Sequence, residues 1–118
     1  MTQHPAAAVG RRPWWRAAFA AAIVGILILA LMPSQGGPSP IPHADKLRHA
    51  AAFIVLWALG HRAGLRQPTW LLAVGLMVFG VAIEVAQSFT PDRDPSVGDI
   101  LADGLGIVAG WWLLRRAA

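Results

Sequence analysis

Residues 68–89 read PTWLLAVGLMVFGVAIEVAQSF, an apolar run that carries no charge until Glu84 and ends just before Pro91. A helix of about 20 mostly apolar residues crosses the hydrocarbon core of a bilayer, and this run supplies them. A helix satisfies its own backbone in lipid, so the segment is predicted to span a membrane. Glu84 and Gln87 then lie near one end of the span, three residues apart and on one helix face. Ionisable side chains within a span are costly and usually mark function. These two residues therefore mark a candidate site.

Three more segments meet the same length rule, giving predicted spans at about 15–32, 42–60, 68–89 and 96–114. The first is entered through Arg11, Arg12 and Arg16 and stopped by Pro33 and the Pro/Gly-rich loop 34–40. In the second, the uncharged stretch Ala50 to Gly60 is too short to span, so Asp45 to His49 must form its first turns. The first segment is read as an uncleaved helix, because Ala30-Leu31-Met32 puts Met where a signal-peptide cut needs a small residue. The predicted fold is all-α, a four-helix transmembrane bundle. It forms a single membrane domain over residues 14–118, behind a flexible basic tail at 1–13.

Composition agrees. Hydrophobic residues make up 56% of the 118 and charged residues only 14%, against roughly a quarter in soluble domains. The net charge of +4 suggests no nucleic-acid partner here, because the arginines stand beside apolar runs and report topology. Arg11, Arg12 and Arg16, then Arg62 and Arg66, then Arg115 and Arg116 fall on one side of an even number of spans. The positive-inside rule makes that side cytoplasmic, so both termini are predicted inside. Trp14, Trp15, Trp70, Trp111 and Trp112 flank the runs as interfacial residues do. With no cysteine, disulfides and thiolate metal sites are excluded.

Alternating spans bring the remaining polar residues to one membrane face. His49 is seven residues past Pro42, Glu84 seven before Pro91, and Asp103 seven past Ser96. Each lies roughly 10 Å in from the outer end of its helix. Asp45, Lys46, Gln87 and Asp99 form a shallower tier, with Arg93 in the loop above. Asp45 with His49, and Asp99 with Asp103, share helix faces at i, i+4. Asp99 also fits a capping box begun by Ser96. Glu84 stands where the helix dipole disfavours a carboxylate, so it needs a proton, a basic partner such as Lys46 or Arg93, or a metal. Ala102, Gly106 and Gly110 make a small-residue stripe suited to close helix packing.

The residues Asp45-Lys46-Leu47-Arg48-His49, Glu84-Val85-Ala86-Gln87, and then Arg93, Ser96, Asp99 and Asp103 resemble the VanZ-like family of small bacterial membrane proteins. They match D-K-x-x-H, E-x-x-Q and R-x-x-S-x-x-D-x-x-x-N over about residues 41 to 114, with Asp103 where the family pattern has Asn. The resemblance implies a multi-pass protein of the bacterial cytoplasmic membrane, and its namesake is linked with teicoplanin resistance. It brings no settled biochemical activity.

The leading expectation is a polar pocket open to the outer leaflet, binding an amphipathic anionic cell-envelope ligand or glycopeptide-type antibiotic. Its predicted binding residues are Asp45, Lys46, His49, Glu84, Gln87, Arg93, Asp99 and Asp103. The alternative is an intramembrane hydrolase or transferase on a lipid-linked substrate, with His49, Glu84 and Asp99 as candidate acid–base groups. A metal version would use His49, Glu84 and Asp103 as ligands. No cofactor is predicted, and the partners expected are membrane lipids and the ligand itself.

Overall fold

A computed structural model of the chain describes residues 5–32, 44–65, 69–90 and 97–115, with the backbone alone for 5–12 and 45. Among these residues the fold is four helices and no strand: α1 (Pro5–Leu31), α2 (Ala44–Arg62), α3 (Thr69–Gln87) and α4 (Val97–Leu114). Three of them are long and apolar enough to cross a membrane, at Pro13–Leu31, Thr69–Gln87 and Val97–Leu114. α2 falls short on apolarity, because Lys46, Arg48 and His49 open it. It is instead the interior helix, with Phe53, Leu56 and Trp57 almost fully buried against its neighbours.

α1 begins at Pro5, inside the residues expected as a flexible tail. Proline suits the first helical position and the following alanines are the strongest helix formers. Pro13 lies within α1, where it removes one backbone hydrogen bond. α2 ends in a Schellman turn: Leu65 N–H donates to the Gly60 carbonyl at 2.9 Å and Gly64 N–H to His61 at 3.1 Å. Gly64 takes the left-handed φ of 80° that this turn requires. The Arg16 side chain donates to the Ala63 carbonyl at 3.2 Å, tying α1 to the same corner.

Cross-helix contacts fix the directions. Phe19 and Leu72 meet at Gly60, while Gln87 reaches the Ala30 carbonyl at the other end, so α1 and α3 run parallel to each other and against α2. On α4, Asp103 faces His49, Gly106 faces Ala50 and Gly110 faces Trp57, so α4 runs parallel to α2. The four helices thus alternate in direction along the chain. Exposed Trp14, Trp70, Trp111 and Trp112 gather at the arginine-rich end. There Arg62 lies 5.1 Å over Trp15, and Arg115 lies 5.5 Å over Trp112.

The outside is apolar, with Ile28, Leu71, Val78, Leu101, Leu105 and Val108 among many exposed side chains, while carboxylates are buried. That inversion suits lipid, where apolar burial drives no association and close packing must hold helices together. Gly106 and Gly110 provide it. A methyl at Gly106 would strike the Ala50 carbonyl oxygen of the α2 backbone, which cannot swing aside. Gly106→Ala is therefore expected to part α2 from α4 at a cost of about 1–3 kcal/mol. Gly25, with open space where its Cβ would stand, is the neutral control. Unfolding of both variants in mixed micelles checks the difference.

Candidate functional site

At the end opposite the tryptophans, three helices turn their polar residues inward. α2 offers Lys46 and His49, one turn apart and on one face. α4 offers Asp99 and Asp103, also one turn apart. α3 continues its buried stripe through Gly80 and Ile83 to Glu84 and Gln87. Because α2 and α4 run parallel in close register, their polar turns meet level with each other.

The geometry is tight. His49 Nδ1 lies 2.8 Å from Asp103 Oδ1, a hydrogen bond in which the ring N–H donates to the carboxylate. His49 Nε2 points the other way and is 3.8 Å from Asp99 Oδ2. The remaining Asp99 oxygen, Oδ1, takes Lys46 Nζ at 3.0 Å. Glu84 completes the group, with donor atoms of His49, Glu84 and Asp99 all within 4.8 Å of one another. Asp103 is wholly buried, Asp99 4% and Glu84 6% exposed. Asp99 lies in the first turn of α4, where the helix dipole favours a negative charge. Glu84 lies in the last turn of α3 and has no such help.

The carboxylate of Asp103 is also shaped by a glycine. Its Oδ2 has no hydrogen-bond partner among the described residues, and a Cβ at Gly80 would stand 2.5 Å from it. α3 can approach Asp103 only because position 80 lacks a side chain.

Beside the cluster runs a crevice between α1, α2 and α3 with a cavity of about 210 Å³. Ile26, Leu29, Phe53 and Ile83 give it apolar walls, while Arg48, His49 and Gln87 give it a polar end. Gln87 donates to the Ala30 carbonyl at 2.8 Å, which fixes its amide at the α1 side.

Of the residues predicted for the site, the structure brings together Lys46, His49, Glu84, Asp99 and Asp103, with Gln87 adjoining through the crevice. Arg93 and the Asp45 side chain lie outside the described residues, as does Ser96 of the expected capping box. The donor atoms within 4.8 Å of one another belong to His49, Glu84 and Asp99, where the expected metal set named Asp103 in place of Asp99; Asp103 meets the other ring nitrogen of His49. Helical spacing puts Asp99 and Asp103 on the same face and cannot say which of them α2 turns its imidazole toward. Three participants stand outside the residues predicted for the site: Arg48, the α1 residues that wall the crevice, and Gly80, whose role only its i, i+4 spacing to Glu84 hints at.

Fold and site together define a small helical membrane protein whose buried carboxylates Glu84, Asp99 and Asp103 are gathered around His49. Residues 8–118 match the family model described as VanZ/LLP1. The chain belongs to that family, which bears out the resemblance drawn from its motifs. Comparisons with curated proteins and with solved structures found no match.

Proposed function

We propose that this chain is a four-span protein of the bacterial cytoplasmic membrane, both termini in the cytoplasm, that binds an amphipathic anionic ligand at its outer end. The observation that carries the reading is the join between two surfaces: apolar walls at Ile26, Leu29 and Phe53 lead directly to Arg48, His49 and Gln87. An acyl or prenyl chain would occupy the walls, and its phosphate or carboxylate would meet the Arg48 guanidinium. A lipid-linked cell-wall precursor has this chemistry, and so does a glycopeptide antibiotic with a lipid tail. Arg48 rather than Lys46 is given this part, because the Lys46 ammonium is engaged by Asp99.

Binding of a polyprenyl monophosphate to the protein in lipid nanodiscs tests the reading. Arg48→Ala removes a charged hydrogen-bond donor contributing about 1.5–3 kcal/mol, so affinity is expected to fall roughly tenfold or more. Unchanged affinity would reject the crevice as the binding surface. The orientation has its own check: Ser39→Cys should react with an impermeant thiol reagent from outside the cell, and Gln67→Cys only after the membrane is opened.

A second reading, a hydrolase or transferase on a lipid-linked substrate, is favoured by one observation. Asp103 orients the His49 imidazole as an acid–base catalyst requires, through a 2.8 Å hydrogen bond to Nδ1. The hydroxyls of Ser88 and Thr90 donate to helix-end carbonyls of Val85 and Gln87, so among the described residues at this end the reading uses water as the attacking group. Mass analysis of a polyprenyl diphosphate after incubation separates the readings. Recovery of intact lipid fits a binder; a cleaved product, lost in His49→Ala, fits an enzyme.

A further inference from the structure

We infer that His49, Glu84 and Asp99 form a binding site for one divalent transition-metal cation of the zinc class, with Asp103 and Lys46 holding two of the three ligands in place. The first ground is the donor set. One imidazole and two carboxylates, each from a different helix, bring donor atoms within 4.8 Å of one another, and both carboxylates are buried. Zinc takes nitrogen and oxygen donors at about 2.0–2.2 Å in a tetrahedron, which sets neighbouring donors about 3.4 Å apart. His49 Nε2 and Asp99 Oδ2 are 3.8 Å apart. That is too long for a hydrogen bond and close to the spacing of two ligands on a shared ion.

The second ground is the arrangement behind the ligands. Asp103 holds His49 Nδ1 at 2.8 Å, which fixes the tautomer and leaves the Nε2 lone pair facing Asp99. A carboxylate on the far nitrogen of a ligand histidine is the usual outer-shell support of a metal site. Lys46 does the same for Asp99, taking Oδ1 at 3.0 Å and leaving Oδ2 turned to His49.

Three protein ligands leave a fourth position open, and His49 also lines the crevice. An oxygen of an anionic head group would fill that position. This last step rests on the ligand reading; the metal site itself does not.

The test uses the full chain without a histidine tag, purified in detergent, stripped with a chelator and titrated with Zn²⁺ in the absence of any lipid ligand. Metal is counted after desalting, and Co²⁺ in place of Zn²⁺ reports coordination by its visible absorption. The expected result is one ion per chain, lost in both His49→Ala and Glu84→Gln while helical content stays that of the parent. Glu84→Gln decides alone if His49→Ala does not fold. Failure of the stripped parent to take up Zn²⁺ or Co²⁺ overturns the proposal. So does uptake that survives Glu84→Gln undiminished, which would assign the ion to other groups such as His4, His43 or His61. Because no lipid is present, a negative result leaves the crevice reading to be judged separately.

Discussion

Asp103→Ala is expected to weaken both metal and ligand binding by about 10–100-fold, the usual cost of losing the group behind a functional histidine. The variant keeps every group proposed to touch ligand. What it loses is the acceptor 2.8 Å from His49 Nδ1, so the ring is free to rotate and change tautomer. Stability should fall by about 1.5–3 kcal/mol, the contribution of a hydrogen bond to a charged group. Asp103→Asn is expected to behave close to the parent, because the amide oxygen can still accept from Nδ1–H. Metal titration and unfolding in mixed micelles on the two variants check this. Equal behaviour of Ala and Asn would mean that position 103 does not orient the imidazole.

Gly80→Val should be the most disruptive single change on α3. Its Cβ would stand 2.5 Å from Asp103 Oδ2, a carboxylate with no exposed surface to retreat into. Either α3 shifts outward or Asp103 leaves His49, and overpacking of this kind costs about 1–3 kcal/mol. The contact also makes a coupling prediction. Once Asp103→Ala has removed the carboxylate, adding Gly80→Val should do little further harm, whereas two independent sites would add their costs. Additive losses in the double variant would show that Gly80 serves something other than the Asp103 carboxylate.

How much of this was legible in the chain depends on the kind of contact. The helices were, because apolar length and Pro/Gly punctuation are local properties: α3 at Thr69–Gln87 and α4 at Val97–Leu114 fall within a residue or two of the predicted spans. The start of α1 was not. Arginines and Pro13 argued for a tail, while the alanines after Pro5 favour helix. α2 illustrates a different limit. Its charged first turns make it the least apolar of the four, yet Phe53, Leu56 and Trp57 on it are almost fully buried, since neighbouring helices rather than its own composition shield it.

In the site, spacing placed His49, Glu84 and Asp103 at matching depth with Asp99 one turn shallower, and the structure gathers all four. Spacing could not assign partners, which depend on the rotation of each helix about its axis. Hence it could not say that Asp103 holds Nδ1 of His49 while Asp99 lies nearer Nε2. It was also blind to backbone groups and to absent side chains. The Ala30 carbonyl that holds Gln87 and the missing Cβ of Gly80 leave no polar letter in the sequence. A cation at a helix end usually serves as a membrane anchor; only the crevice shows that Arg48 lines the same cavity as His49.

The central claim is that the buried cluster serves a ligand and is not merely a network that holds the helices together. Glu84→Gln tests it most directly, since the replacement keeps the shape and one acceptor oxygen while removing the charge. Polyprenyl monophosphate affinity with Zn²⁺ present, and the unfolding midpoint after chelation, should be measured on the same nanodisc preparations of parent and variant. The account predicts affinity down about tenfold or more with the midpoint unchanged. Unchanged affinity together with a lowered midpoint would contradict it and return Glu84 to a structural role.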